Sequence, residues 1–171
     1  MQKGHEAIVT LLLNKGADPN VKNELYAATS TEFLLPLQVA VRQGHAAICN
    51  MLLQKGATLD QPTEPLLHIA CSAATNGWTT DESAETSTTD QMLSAVRLLL
   101  QQEVNVNAFS VKGDTALYRV CIYQQLEVVQ ILLEAGADVN LTSSRRYPLI
   151  AACDAGNVEL INLLVSAGAD V

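Results

Sequence analysis

The sequence predicts an all-α solenoid, a stack of helix-turn-helix units joined by β-turn fingers. Two recurrences and the composition predict it. The first recurrence is an apolar run closed by a turn: LLLNKGADPN at 11–20, LLQKGATLD at 52–60, LLLQQEVNVN at 98–107, LLEAGADVN at 132–140 and LLVSAGADV at 163–171. Its anchor falls at Gly16, Gly56, Glu103, Gly136 and Gly168, at intervals of 40, 47, 33 and 32 residues. The second recurrence lies between the anchors: LPLQVAVRQGH at 35–45, LLHIACSAA at 66–74, TALYRVCIYQQ at 115–125 and YPLIAACDAGN at 147–157. Self-similarity near a fixed period marks stacked repeat units. The composition agrees: 49% of the 171 residues are hydrophobic, yet one Trp, four Tyr and two Phe leave the core to Leu, Val, Ile and Ala.

Residues 4–22 read as the outer half of a first unit. Residues 23–59 form a second with a long finger, 60–106 a third with an insertion, 107–139 a fourth and 140–171 a fifth. Pro36 and Pro148 stand where proline is tolerated, at the first helical position. The fourth unit is the clearest. Thr115 is placed to N-cap the inner helix by accepting from a first-turn amide. Leu117, Val120 and Cys121 recur at helical spacing and face the core. Leu126, Val128, Val129, Ile131, Leu132 and Leu133 build the outer helix, which Gly136 ends in a left-handed C-cap. Asp138 and Asn140 suit the turn that opens the next finger. Glu103 stands in the cap-glycine position, where a positive φ costs about 1 kcal/mol, so that turn is expected to be distorted. One helix pair cannot bury its apolar face alone; stacking makes the core continuous. The pattern is cut inside a unit at both ends, as expected of a piece of a longer array.

These phrases resemble the ankyrin repeat, whose pattern runs through a turn, TPLHxAAxxGH, an outer helix and GADVN. The resemblance covers nearly the whole chain. Only the third unit keeps the histidine of TPLH, at His68; the resemblance implies that its imidazole ties adjacent turns by hydrogen bonds. Gln38, Tyr118 and Ile150 replace it elsewhere. About seven residues are added to the second finger, within NELYAATSTEFL at 23–34. About 17 more fall between His68 and Leu98, within TNGWTTDESAETSTTDQ at 75–91. This second insertion, about 76–91, is rich in Ser and Thr and carries Asp81, Glu82, Glu85 and Asp90 without a basic residue. It is expected to be an exposed, mobile loop with Trp78 packed back on the array. A tolerated insertion without function and a partner-binding or phosphorylated segment are both open for it.

Several function classes are excluded. Ten Lys and Arg against 18 Asp and Glu give a formal charge of −8, without the clustered positive charge that replaces phosphate counterions. Nucleic-acid binding is therefore not expected. No apolar run approaches the roughly 20 residues that span a bilayer, and the N-terminus lacks the order of a signal peptide. No membrane insertion is expected, and the setting is intracellular, cytoplasmic or nuclear. The four cysteines are expected to be reduced there. No CxxC pair, HExxH, GxSxG, GxGxxG or phosphate loop occurs. Cys71, Cys121 and Cys153 share one small-residue slot of the inner helix and read as small buried hydrophobes, as does Cys49 in an outer helix. His5 and His45 read as the His of a Gly-His turn. Neither catalysis, a metal nor a cofactor is expected.

What remains is recognition. The resemblance implies a concave face made of fingertips and the exposed ends of inner helices. Those ends are Arg42/Gln43, Ala73/Ala74, Ile122/Tyr123 and Asp154/Ala155. The fingertips are 23–24 with the insertion, 61–64, 110–114 and 143–147. Interface hot spots favour Tyr, Trp and Arg. The candidates are accordingly Tyr118, Arg119, Ile122, Tyr123, Arg145, Arg146 and Tyr147, with Arg42 and Gln43 in the second unit. Tyr26 and Phe33 of the long finger are a second candidate. Arg119 with Arg145 and Arg146 makes a positive spot suited to an acidic or phosphorylated peptide. The expected function is a non-catalytic protein–protein interaction module, a monomeric fragment of a larger scaffold or adaptor. The alternatives are a structural spacer or intramolecular docking element, and a targeting or regulatory subunit for a kinase or ubiquitin ligase.

Overall fold

In a computed structural model the chain is described over residues 2–21, 35–59, 64–72, 85–143 and 145–171. Among these residues there are two kinds of helix. The inner helices are α2 (Pro36–Arg42), α4 (Leu66–Ser72), α6 (Ala116–Ile122) and α8 (Pro148–Asp154), seven residues each. The outer helices are α1 (Gln2–Asn14), α3 (Ala46–Gln54), α5 (Glu85–Leu100), α7 (Leu126–Glu134) and α9 (Val158–Ser166). Each inner helix packs on the outer helix that follows it and on the next inner helix, while α1, α3, α5 and α7 pack in sequence. The chain is thus an all-α ankyrin-type stack with one continuous core.

Local chemistry sets the elements. Thr115 Oγ1 accepts from the Tyr118 amide at 3.2 Å and caps α6 as expected. Asn157 Oδ1 does the same for α9, accepting from Leu160. Gln38 folds back so that its Oε1 accepts from the Leu35 amide at the start of α2, and Pro36 and Pro148 occupy the first helical turn. The outer helices end at Gly16, Gly56, Gly136 and Gly168 with φ between 86° and 92°. Glu103 takes the left-handed conformation too, at φ 56°.

Asparagine then joins one turn to the next. Asn20 Nδ2 donates to Gly56 O while its Oδ1 accepts from Thr58 N. Asn107 clasps Gly136 O and Asp138 N, and Asn140 clasps Gly168 O and Asp170 N, in the same way. Ahead of each, Asp18, Asn105 and Asp138 accept from the amide two residues on, closing the turn. The fourth finger is closed by an antiparallel bridge between Phe109 and Thr115.

Three expectations are corrected. Residues 85–91, assigned to a loop, belong to α5, which runs 16 residues. Its later turns are nucleated by the buried Met92, Val96 and Leu99, and each further residue then adds one backbone bond to an existing helix. The extended helix crosses the Gly44 turn so closely that a Cβ on Gly44 would lie 2.7 Å from that of Gln91. Gly44 is therefore required twice, for φ +68° and for the approach. The rest of the acidic insertion with Trp78, the long finger with Tyr26 and Phe33, and Ala73/Ala74 lie outside the described residues. Second, Gly4 and His5 lie inside α1 rather than in a turn. Third, Cys153 is exposed although Cys71, Cys121 and Val41 in the same slot are fully buried. That slot faces the next unit, which covers it in the first three cases.

Replacing Glu103 by Gly should raise stability by about 0.5–1 kcal/mol, because the left-handed strain goes while only glycine entropy is lost. Thermal unfolding should shift up by about 2–4 °C. A fall in melting temperature would show that the Glu103 side chain makes contacts that outweigh its strain.

Candidate functional site

The face made by fingers and inner helices splits into a locked part and an open part. Arg119 is the centre of the locked part. Val39, Ile69 and Ala151 hold its position in the other inner helices, and it points as they do toward the preceding unit. Its Nη1 donates to Glu64 Oε1 and Ser72 Oγ, both at 2.8 Å, and to the His68 carbonyl at 3.4 Å. Its Nη2 forks onto both Asp114 oxygens at 3.2 Å. Burial works against the cation, but Asp114 and Glu64 outweigh it and hold the Arg119 pKa above its ordinary value. Ser110 Oγ also donates to Asp114 Oδ1. Arg119 therefore staples the third unit to the fourth.

His68 lies beneath this network. Its Nε2 is 3.0 Å from the Asp114 carbonyl of the next finger. A carbonyl only accepts, so Nε2 carries the proton and Nδ1 is the bare nitrogen. Nδ1 is buried without a partner. The slot that Thr115 fills in the fourth unit holds Pro65 here, which has no hydroxyl to offer. Burial pushes the imidazole pKa down, with Arg119 adding to the effect and the bond to Asp114 and the two carboxylates opposing it.

The open part lies on the fourth and fifth fingers. Ser143 Oγ donates to Gly113 O, and Arg146 Nη1 donates to Lys112 O at 3.1 Å. The Arg146 amide is held by Thr142 Oγ1 at 2.8 Å. The two fingertips are thus tied together. Arg145 is exposed at φ 57°, and Tyr147, exposed, is the N-cap of α8. Phe109 and Val111 are exposed on the neighbouring finger. Lys112, Arg145 and Arg146 form no ion pair with any carboxylate among the described residues.

The other expected residues divide between these parts. Ile122 and Tyr123 are exposed at the end of α6, with Tyr123 as its C-cap. Tyr118 is half-buried and packs against the core in the histidine slot. Arg42 ends α2 half-buried, and Gln43 is its exposed C-cap, with α4 standing between α2 and α6. Sequence reasoning missed two things. Lys112 was covered only as part of a fingertip range. The Arg119–Glu64–Asp114 network was missed altogether, although an arginine in a slot otherwise held by Val, Ile and Ala was a signal for it.

The thiols of Cys49, Cys71 and Cys121 are pushed up to about 12 by burial, so they stay protonated at neutral pH. No helix among the described residues is long and apolar enough to cross a membrane.

Residues 1–78 and 86–171 match the family model for ankyrin repeats in three copies. Human ankyrin repeat and SOCS box protein 11 is 38% identical over 76 residues, 44% of this chain and 24% of the relative. Cowpox virus (strain Brighton Red) ankyrin repeat domain-containing protein OPG023 is 33% identical over 76 residues, 43% of this chain and 11% of the relative. The Caenorhabditis elegans ankyrin repeat and KH domain-containing protein mask-1 is 33% identical over 106 residues, 59% of this chain and 4% of the relative. The matched part spans less than a quarter of the length of these relatives.

Two outcomes follow from the network. Arg119→Met should cost about 2–3 kcal/mol in denaturant unfolding, because it leaves Asp114 buried without its cation. Adding Asp114→Asn and Glu64→Gln should recover most of that loss; no recovery would mean that the arginine acts by packing alone. The histidine gives a pH dependence. Its folded pKa lies below the ordinary 6.5, so between the two values the unfolded chain binds more protons. Its stability contribution is complete above about pH 6.5 and declines as pH falls toward the folded value. His45, also lowered by burial and by His5, contributes in the same direction. His68→Gln should therefore flatten part of the loss between pH 7.5 and pH 5. An unchanged slope would place the titration elsewhere.

Proposed function

This chain belongs to the ankyrin-repeat family, and on that premise we propose that it captures an acidic segment of a partner protein across its fourth and fifth fingertips. Ankyrin repeats are protein–protein interaction modules, non-catalytic as a family. The observation that carries the finer reading is electrostatic. Arg119 pairs with both Asp114 and Glu64 and cancels one of their two charges, so Lys112, Arg145 and Arg146, which form no ion pair among the described residues, outnumber the negative charge left beside them on two fingertips that are tied to each other. In a chain of net charge −8 this is a local exception. Arg119 thus acts by removing nearby negative charge rather than by touching the partner. Tyr147 and Phe109 offer exposed apolar area on the same two fingers as the cations, and Ile122 and Tyr123 offer more at the other end of α6; such anchors supply most interface energy. A preformed surface also avoids the ordering costs of binding. A phosphorylated segment would suit the arginines as well as a carboxylate-rich one. The setting proposed is intracellular, cytoplasmic or nuclear.

A second reading is favoured by one comparison. A relative 38% identical over 76 residues is named for a SOCS box as well as for its repeats. The array would then be the recognition part of a longer regulatory protein whose other parts act on what it captures.

The test is a fluorescent peptide array of acidic, phosphorylated, neutral and basic sequences. Acidic or phosphorylated peptides should be retained, and Lys112→Glu with Arg145→Glu should weaken them by about tenfold or more at low salt. Tyr123→Ala should also weaken binding while moving the melting temperature by less than about 4 °C. Equal retention of basic peptides would sink the acidic reading, and a larger melting shift would place Tyr123 in the core.

A further inference from the structure

Ser143 stands between the fourth and fifth fingertips. It is exposed, it lies outside any helix, and its hydroxyl donates to the Gly113 carbonyl. Arg146 Nη1 donates to the carbonyl of Lys112, the residue just before Gly113. The two carbonyls belong to consecutive residues, whose Cα atoms lie about 3.8 Å apart. The Ser143 hydroxyl and the Arg146 guanidinium therefore end side by side on one turn, and that turn also carries the exposed Lys112. Arg146 rests there on a neutral carbonyl, which takes up one N–H without cancelling the charge. Two residues after Ser143, Arg145 holds a left-handed φ of 57° at the position that Gly113 holds at 73° in the fourth finger. A long cationic side chain thus stands where the backbone favours glycine. Other hydroxyls of these fingers are placed differently. Ser110 is buried and donates to Asp114, and Thr142 is half-buried and accepts from the Arg146 amide.

We propose that Ser143 is a phosphorylation site, and that its phosphate, seated on Arg146 and Lys112, switches off the capture of an acidic segment. This regulation rests on the fingertip capture proposed above. A protein kinase that selects basic residues after its serine would find Arg145 and Arg146 two and three places on. In the transfer, Ser143 Oγ attacks the γ-phosphorus of ATP. The Oγ–P bond forms as the bridging P–O bond breaks, ADP departs with that electron pair, and the hydroxyl proton passes to the base of the kinase. The product has no O–H, so the bond to the Gly113 carbonyl is lost and a group of charge about −2 takes its place. Phosphate oxygens only accept, and the charged donors of Arg146 and Lys112 lie on the same turn. Charge sets the outcome. Arg119 cancels one of the two charges of Asp114 and Glu64, so the three fingertip cations face one negative charge. A phosphate of about −2 cancels the positive excess that remains. It also occupies the guanidinium edge that a partner's carboxylate would use.

The test compares the full chain with the same chain in which Ser143 is replaced by genetically encoded phosphoserine. In phosphorus NMR the second phosphate pKa should fall by about half a unit or more below its value in the urea-unfolded chain, and Arg146→Met with Lys112→Met should restore it. The phosphorylated form should hold an acidic peptide about tenfold or more weaker at low salt, and the difference should shrink in high salt. A kinase of the stated selectivity, with Mg²⁺ and ATP, should label the folded chain at Ser143 when the product is mapped by mass spectrometry. An unshifted phosphate pKa, or labelling at Thr142 or Ser144 instead, would overturn the site. A shifted pKa with equal peptide binding by both forms would overturn the switch alone. Failure of the unmodified chain to hold any acidic peptide would remove the fingertip capture, and the switch with it.

Discussion

Among the described residues, three fingers are each held to a neighbouring turn by a single carboxamide. Asn20, Asn107 and Asn140 each donate to the carbonyl of the cap glycine that ends the next outer helix and accept from the amide two residues beyond it. The glycine makes this possible: its left-handed φ ends the outer helix and leaves that carbonyl without a helical partner. The same asparagine satisfies two backbone groups that would otherwise have to find water. The fingers are thereby spaced by the helices beneath them, and the helices are spaced by apolar stacking. Everything the finger face does depends on this coupling, because no unit can bury its own core alone.

Against that regular frame the fourth unit carries the main exception. Its inner helix puts arginine where the stack otherwise takes Val, Ile or Ala. A cation in such a slot is tolerated only when its donors are taken up. Here Glu64, Ser72, the His68 carbonyl and Asp114 take them. The result ties two units together at their fingers and also shapes the field outside. With Asp114 and Glu64 paired to Arg119, only one negative charge is left beside the three cations of the neighbouring fingertips. In the function we propose, structure and recognition are coupled through one side chain that need not contact the partner.

The repeat frame was legible in the sequence down to single residues. Thr115 caps, Pro36 and Pro148 start helices, Gly136 ends one, and Glu103 is pressed into a glycine's conformation. These features are local, and each follows from the chemistry of one or two residues. The candidate surface was legible only in part. Arg145, Tyr147, Ile122 and Tyr123 are exposed, but Tyr118 packs inward and Arg119 is consumed by a network. Register told which slot each side chain occupies, not which carboxylate from 55 residues away would meet it.

By itself the sequence determined the all-α repeat, its phase, its caps and the excess of acid over base. Those properties are written in spacing and composition, and stacking only repeats them. The tertiary structure decided which charges cancel and which remain, that the helix after the acidic insertion starts early and crosses Gly44, and that Cys153 is uncovered while its equivalents are buried. The physical reason is that burial and ion pairing belong to pairs of units. A side chain's environment in a stack is set by the neighbour that covers it, and that neighbour lies about one repeat away along the chain.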